Sequence, residues 1–201
     1  ELQRLYKIDP NVYKLWFYTL NVKPHSDYYS QRVVIFGISK HLMRSYETQF
    51  ERSGLRINSF ISPLDAQLII LKNITADIIG EKDVVCFVHI EDSSIDICFY
   101  YDEDIISMTT ISTVGRDINY LEDELKLIFN YFYIENYGTN IDIVILSGNC
   151  YRDEEYLTLF TKLGYRSIWL SDEILKVKYK VDSKAFPIAS YINAIGSSIY
   201  Y

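Results

Sequence analysis

Val84-Val85-Cys86-Phe87-Val88-His89-Ile90-Glu91-Asp92-Ser93-Ser94-Ile95-Asp96-Ile97-Cys98-Phe99-Tyr100-Tyr101-Asp102-Glu103-Asp104-Ile105-Ile106-Ser107-Met108-Thr109-Thr110-Ile111-Ser112-Thr113 is the stretch that decides the fold. Three runs rich in β-branched and aromatic residues, Val84 to Ile90, Ile95 to Tyr101 and Ile105 to Ile111, are separated by Glu91-Asp92-Ser93-Ser94 and Asp102-Glu103-Asp104. Turn-forming polar clusters between such runs predict a meander of three antiparallel strands.

Downstream, Gly115 precedes a helical pattern in which Ile118, Leu121, Leu125, Ile128, Phe129 and Phe132 share a face. Asn119 with Glu122 has capping-box spacing, and Asp117 is a rival cap. Ile141 to Leu146 reads as a buried strand and Ser147-Gly148-Asn149 as the turn that leaves it. Asp153 to Leu163 reads as a helix closed by Gly164, Ser167 to Leu170 as a short strand, and Pro187 as the start of a last helix. Upstream, Lys14 to Val22 and Arg32 to Ile38 read as strands, the second buried because its apolar run is continuous. Ser39 caps a helix whose Leu42, Met43, Tyr46 and Phe50 share a face, and Gly54 closes it. Leu55 to Phe60 reads as a short strand. Ser62-Pro63 opens a further helix with Asp65 in its first turn and Leu64, Leu68, Leu71, Ile74 and Ile78 as its stripe. A meander followed by helix–strand units gives an α/β fold with a mixed sheet. A seam is expected near Gly80-Glu81-Lys82-Asp83, dividing the chain into 1–80 and 81–201.

The 201 residues, 49% of them hydrophobic, suffice for a sizeable core and argue against disorder. A net charge of −7 argues against nucleic acid as a partner, since a phosphate backbone calls for a basic stripe. Nineteen tyrosines and ten phenylalanines suit half-buried sheets and recognition surfaces, or reflect an A+T-rich coding sequence. Cys86, Cys98 and Cys150 lack C-x-x-C spacing and read as buried thiols in a reducing compartment. No run reaches the ~18 apolar residues of a membrane span. The chain opens on Glu1 and reads as a piece of a longer one.

Chemistry-bearing patterns are sparse. His89 lies in a strand and reads as a satisfied structural histidine, with Cys86 on the opposite face of that strand. His89 and Glu91 share a face but make only two ligands, which implies no metal. Neither phosphate-binding glycine signature is present. Two weaker features are the turn at Asp92-Ser93-Ser94 and the strand running into Ser147-Gly148-Asn149, where small residues admit a nucleotide or simply end a strand.

In order, these pieces resemble the actin-like (ribonuclease H-like) ATPase superfamily, in particular the PilM-type proteins of type IV pilus assembly, bundle-forming-pilus variants included, and the L-type proteins of type II secretion. Ser53-Gly54-Leu55-Arg56-Ile57 resembles the family's helix–strand junction, and Val84 to Thr113 its second phosphate hairpin and following strand. Val114-Gly115-Arg116-Asp117 is similar to its glycine turn, Glu124 to Phe132 to its long helix, Leu146-Ser147-Gly148-Asn149 to its adenosine-side turn, and Tyr191 to Gly196 to its closing helix. The resemblance covers about 32–201 and implies an actin-like sheet, truncated relative to full actin-like ATPases.

Departures from the family pattern shape the functional expectation. The turn Glu91-Asp92-Ser93-Ser94 lacks the glycine of D-x-G-x-x-T, and its acidic pair repels a triphosphate unless a metal intervenes. Asn149 replaces the second glycine of the adenosine turn, and no first phosphate hairpin is recognisable. The resemblance therefore implies a non-enzymatic scaffold without cofactor on the cytoplasmic face of the bacterial inner membrane. It would dock the N-terminal domain of the assembly or secretion ATPase and inner-membrane platform proteins, and could form a homodimer. The alternative is an ATP-binding member that grips Mg-ATP through Asp92, Ser93, Ser147, Gly148 and Asn149. The acidic turns Asp102-Glu103-Asp104 and Asp153-Glu154-Glu155 are either solvated or meet a basic partner.

Overall fold

A computed structural model describes residues 8–20, 33–78, 83–101, 104–136, 138–149 and 154–170, with backbone alone for 73–78. The chain divides into two compact units, Glu1–Ile61 and Ser62–Tyr201. The seam expected near Gly80 falls on residues 79–82, outside the described residues, as do Cys150 and the final helix expected from Pro187.

In the first unit, β1 (Tyr13–Thr19) and β2 (Val33–Ser39) form a two-stranded antiparallel sheet, with Trp16 opposite Phe36. Helix α1 (Lys40–Arg52) follows directly, capped by Ser39, whose Oγ accepts from the Leu42 amide at 3.5 Å. Gly54 ends it at φ 75°, a left-handed conformation that favours glycine. Two expectations fail here. β2 alternates between exposed and half-buried rather than being buried throughout, because a two-strand sheet covers one face at most. Residues 55–60 are irregular, not a strand, and take no place in either sheet among the described residues.

The second unit is built on a five-stranded mixed sheet of order β5-β4-β3-β6-β7. The meander is present as β3 (Val85–Ile90), β4 (Ser94–Tyr101) and β5 (Asp104–Ser112), paired antiparallel. β6 (Ile143–Gly148) joins β3 in parallel, and β7 (Ser167–Trp169) joins β6 in parallel. All six residues of β3 and all six of β6 are buried, as a parallel pair covered on both faces requires.

Helices α3 (Ile118–Glu135) and α4 (Glu154–Lys162) share one core cluster with the sheet. Leu121, Leu125, Phe129 and Phe132 of α3 meet Cys86, Val88 and Ile90 of β3, Ile97 and Phe99 of β4, and Leu159 and Phe160 of α4 in that cluster. Phe99 stacks on Phe132 with ring centroids 4.1 Å apart, and Phe129 meets Tyr165 edge-on at 4.7 Å. Buried aromatic pairs of this kind add about 0.5–1.5 kcal/mol beyond their area. The cap of α3 is Asp117, whose Oδ1 accepts from the Tyr120 amide at 2.8 Å. Asn119 is therefore inside the helix and forms no capping box with Glu122; that carboxylate instead pairs with Lys126 at 2.7 Å and Lys162 at 2.6 Å. Helix α2 (Pro63–Ile78) opens on a reciprocal Ser62–Asp65 cap, with the Asp65 amide on Ser62 Oγ and Ser62 Oγ on the Asp65 carboxylate. Among its described side chains Leu64, Ala66, Gln67, Ile70 and Leu71 are buried, and Leu68 is only half-buried.

Candidate functional site

The ends of two parallel strands meet where the candidate site lies. Pairing of β3 with β6 starts with the Val84 amide on Asp142 Oδ2 at 2.7 Å and ends with the Asn149 amide on the Ile90 carbonyl at 2.9 Å. In an open α/β sheet, the carboxyl ends of neighbouring strands are where ligands usually bind. The structure thus brings the Asp92-Ser93 turn after β3 next to the Gly148-Asn149 exit from β6.

The first turn is a solvent-facing loop. Asp92 and Ser93 are exposed, and the Glu91 amide donates to the Ser94 carbonyl at 2.8 Å. Thr113, just past β5, fastens the turn from the other side. Its amide donates to the Ser93 carbonyl at 3.0 Å and its hydroxyl to the Asp92 carbonyl at 3.1 Å. Backbone carbonyls of the turn are thereby engaged, while the Asp92 carboxylate points into an exposed region with no glycine beside it.

The second turn behaves differently from its sequence. Ser147 and Gly148 are the last residues of β6, not a loop after it, and only Asn149 turns away. Ser147 is fully buried. Its Oγ lies 3.0 Å from His89 Nδ1 and donates to the Val88 carbonyl at 3.4 Å. Gly148 has φ 110°, and a Cβ there would fall 2.0 Å from the Ile90 carbonyl oxygen and 2.7 Å from its amide nitrogen. Glycine is required at this position because the β3 backbone occupies the space a side chain needs.

His89 is the residue whose place sequence spacing could not give. It is 2% exposed and stands opposite Asp96 on β4 and Ser147 on β6. Its Nε2 is 3.4 Å from Glu91 Oε1. Asp96 in turn accepts from the Thr110 hydroxyl of β5 at 2.7 Å. A polar row, Ser147–His89–Asp96–Thr110, therefore crosses four strands beneath the candidate site. Burial holds the His89 pKa below the usual histidine value, and the Glu91 and Asp96 carboxylates oppose that shift. The imidazole is a satisfied structural group, as its strand position suggests; the signal for its partner was the parallel register, which no local motif encodes. Cys86 and Cys98 are buried thiols, with Cys98 pushed up to about 12 chiefly by burial. No cluster of His, Cys, Asp and Glu suited to a metal occurs among the described residues.

Chemically, the arrangement offers an exposed acidic turn, a buried hydroxyl directed inward, and a glycine already in contact with backbone. Of the five sequence-derived nucleotide residues, Asp92, Ser93 and Asn149 reach the surface; Ser147 and Gly148 are buried in the strand pair.

No family model matches the sequence, and no curated protein sequence matches it. Solved structures do. A chain of a PilM-PilN type IV pilus biogenesis complex superposes with TM-score 0.73 at 12% identity, over 98% of this chain and 69% of that one. A Bacteroides thetaiotaomicron protein with actin-like ATPase fold and unknown function superposes with TM-score 0.52 at 16% identity, over 84% of this chain and 57% of that one. The fold is actin-like. The α/β architecture has the mixed sheet and flanking helices expected from the meander, and the 201 residues span 69% and 57% of those two chains. No helix among the described residues is long and apolar enough to cross a membrane.

Proposed function

We propose that this chain is a non-enzymatic scaffold of a type IV pilus assembly or type II secretion platform, acting at the cytoplasmic face of the inner membrane. The observation that carries this reading is the state of the strand ends. Asp92 leaves an exposed carboxylate at the end of β3, Glu91 adds a second negative charge 3.4 Å from His89 Nε2, and Ser147 directs its hydroxyl to His89 and Val88. Electrostatic repulsion and the loss of a donor both act against a nucleotide. The likeness to a chain of a PilM-PilN type IV pilus biogenesis complex supports the pilus assignment. The partners we assign are the N-terminal domain of the assembly or secretion ATPase and the inner-membrane platform proteins.

A second reading has one observation in its favour. The Asp92-Ser93 turn and Asn149 are neighbours at the carboxyl ends of parallel strands, the place a nucleotide would use. Calorimetric titration with Mg-ATP separates the two: the scaffold reading expects no micromolar binding. Gly148→Val is a poor control for that titration, because it breaks the strand pair whatever the ligand. Asn149→Asp and Ser93→Glu, both exposed, are the suitable variants. Affinity purification from cells carrying the pilus or secretion machine tests the scaffold itself. Recovery of a platform protein or the ATPase is expected, and repeated failure to recover either sinks the reading.

A further inference from the structure

Charge and exposed apolar surface are both divided unevenly between the two units. Residues 1–61 carry nine lysines and arginines against five aspartates and glutamates, a formal charge of +4. Residues 62–201 carry 11 against 22, a formal charge of −11. The overall −7 conceals this division. Of the 14 large hydrophobic side chains exposed among the described residues, nine belong to the first unit, which is under a third of the chain. Four of the nine, Tyr13, Phe17, Val33 and Ile35, share one face of the β1–β2 sheet, with Phe17 directly opposite Ile35. No residue of either strand on that face is charged. The opposite face is different: its Trp16, Tyr18 and Phe36 rings are half-buried against one another. Exposed apolar surface gathered in this way marks a docking surface.

The positive charge of the same unit selects what covers the face. Arg44, Arg52 and Arg56 are exposed and make no ion pair; Glu47 and Glu51, exposed beside them, are already counted in the +4. A unit of 61 residues has a radius of gyration of about 10 Å. That is close to the Debye length of ~8 Å in physiological salt, so its charges act together on a surface it touches. Nucleic acid fits the charge but not the face, because bases stack on rings and gain nothing from Val33 and Ile35. A second copy meeting face to face sets +4 against +4. An anionic bilayer takes both features: aliphatic and aromatic side chains enter the headgroup boundary, and lysine and arginine sit among the lipid phosphates. We propose that the first unit docks on an anionic lipid bilayer, with Phe17 and Val33 entering the headgroup boundary and the acidic second unit repelled by the same surface. The inference takes from the scaffold reading only its place, the inner-membrane face, and adds which part of the chain touches lipid.

The test uses the full chain and co-sedimentation with vesicles of phosphatidylglycerol and phosphatidylcholine in equal parts, with pure phosphatidylcholine vesicles as control. Binding to the anionic vesicles is expected at about 0.1 M salt, with a several-fold loss at about 0.5 M. Neutral vesicles should bind at least about tenfold more weakly. Arg44→Gln/Arg52→Gln/Arg56→Gln lowers the formal charge of the unit from +4 to +1 and should weaken anionic binding by at least about tenfold. Phe17→Ser/Val33→Ser should weaken it about tenfold and leave its salt dependence in place. All five side chains are exposed, so circular dichroism and melting should match the parent. Should the strand variant misfold, the arginine variant and the neutral vesicles still decide. Three results overturn the proposal: no binding to anionic vesicles, equal binding to neutral ones, or undiminished binding by either folded variant. Without vesicle binding, self-association at low salt that the arginine variant loses assigns the positive unit to the acidic unit of a second copy, and binding of a single-stranded oligonucleotide assigns it to nucleic acid. Vesicles contain no pilus protein, so failure here is separate from failure of the scaffold. If vesicles are not bound but purification from cells recovers the platform, the lipid face falls and the scaffold stands. If vesicles are bound but no platform protein is recovered, the lipid face stands and the pilus assignment falls.

Discussion

The ends of β3 and β6 lie side by side and obey opposite rules. β3 runs out into an exposed turn, Glu91 to Ser94, held mainly through its backbone. β6 ends on two residues locked into the sheet, Ser147 by its hydroxyl and Gly148 by the space its missing side chain leaves to Ile90. Side chains at the first end are free to change; at the second they are fixed by the fold. A serine–glycine sequence at a strand end is thus a packing requirement before it is evidence of a ligand.

Replacing Gly148 should give the largest effect. Gly148→Ala puts a methyl group within 2.0 Å of the Ile90 carbonyl oxygen at φ 110°, so β6 must leave β3. Urea denaturation should show a loss above ~4 kcal/mol or no folded protein, the range reserved for a broken backbone contact in a core. A variant that melts like the parent would place the strand ends farther apart than described. Ser147→Ala comes next. It removes the hydroxyl facing His89 Nδ1 without disturbing the backbone, and should cost about 1–3 kcal/mol in the same measurement.

Much of the second unit is legible in sequence. The meander follows from Asp92-Ser93 and Asp102-Glu103 standing between β-branched runs, and α3 from the spacing of Leu121, Leu125, Phe129 and Phe132. Local signals fail where a residue's state depends on a distant neighbour. Val33 and Ile35 look like a buried strand, but the sheet holding them has two strands and leaves them 45% and 36% exposed. Ser147 looks like a turn residue, but pairing with His89, 58 positions earlier, keeps it in the strand. Asp117 rather than Asn119 caps α3, because both residue types accept amide hydrogen bonds and only the backbone path chooses between them. The candidate site was legible as two loops; that one of them is interior was not.

Acid should act through the same polar row. The His89 pKa is lowered in the fold, chiefly by burial, while the unfolded imidazole titrates near ~6.5. Below that value the unfolded chain binds more protons than the folded one, so stability falls as pH drops through 6.5 toward the folded pKa and levels off beneath it. Above 6.5 His89 contributes no pH dependence. Thermal melts from pH 7.5 to 5 should therefore slope downward in the parent and less steeply in His89→Gln. An identical slope in both would show that the ring is not excluded from water.

The smallest stability effect belongs to the exposed end. Glu91→Gly/Asp92→Gly removes both carboxylates and supplies the flexibility that a phosphate-gripping turn uses. The contacts holding the turn survive, since Thr113 donates to the carbonyls of residues 92 and 93 and not to side chains. The cost should stay at about 1–2 kcal/mol, the chain entropy of two glycines together with the Glu91 contact to His89 Nε2. Removing the Glu91 carboxylate also takes away a group that favours protonated His89, so the acid sensitivity should steepen slightly. Mg-ATP titration of this variant sharpens the comparison most. If acidity alone excludes nucleotide, binding appears once the carboxylates are gone. The inward Ser147 hydroxyl and the filled space at Gly148 argue that it does not, because the β6 end then has only the exposed Asn149 to offer a phosphate.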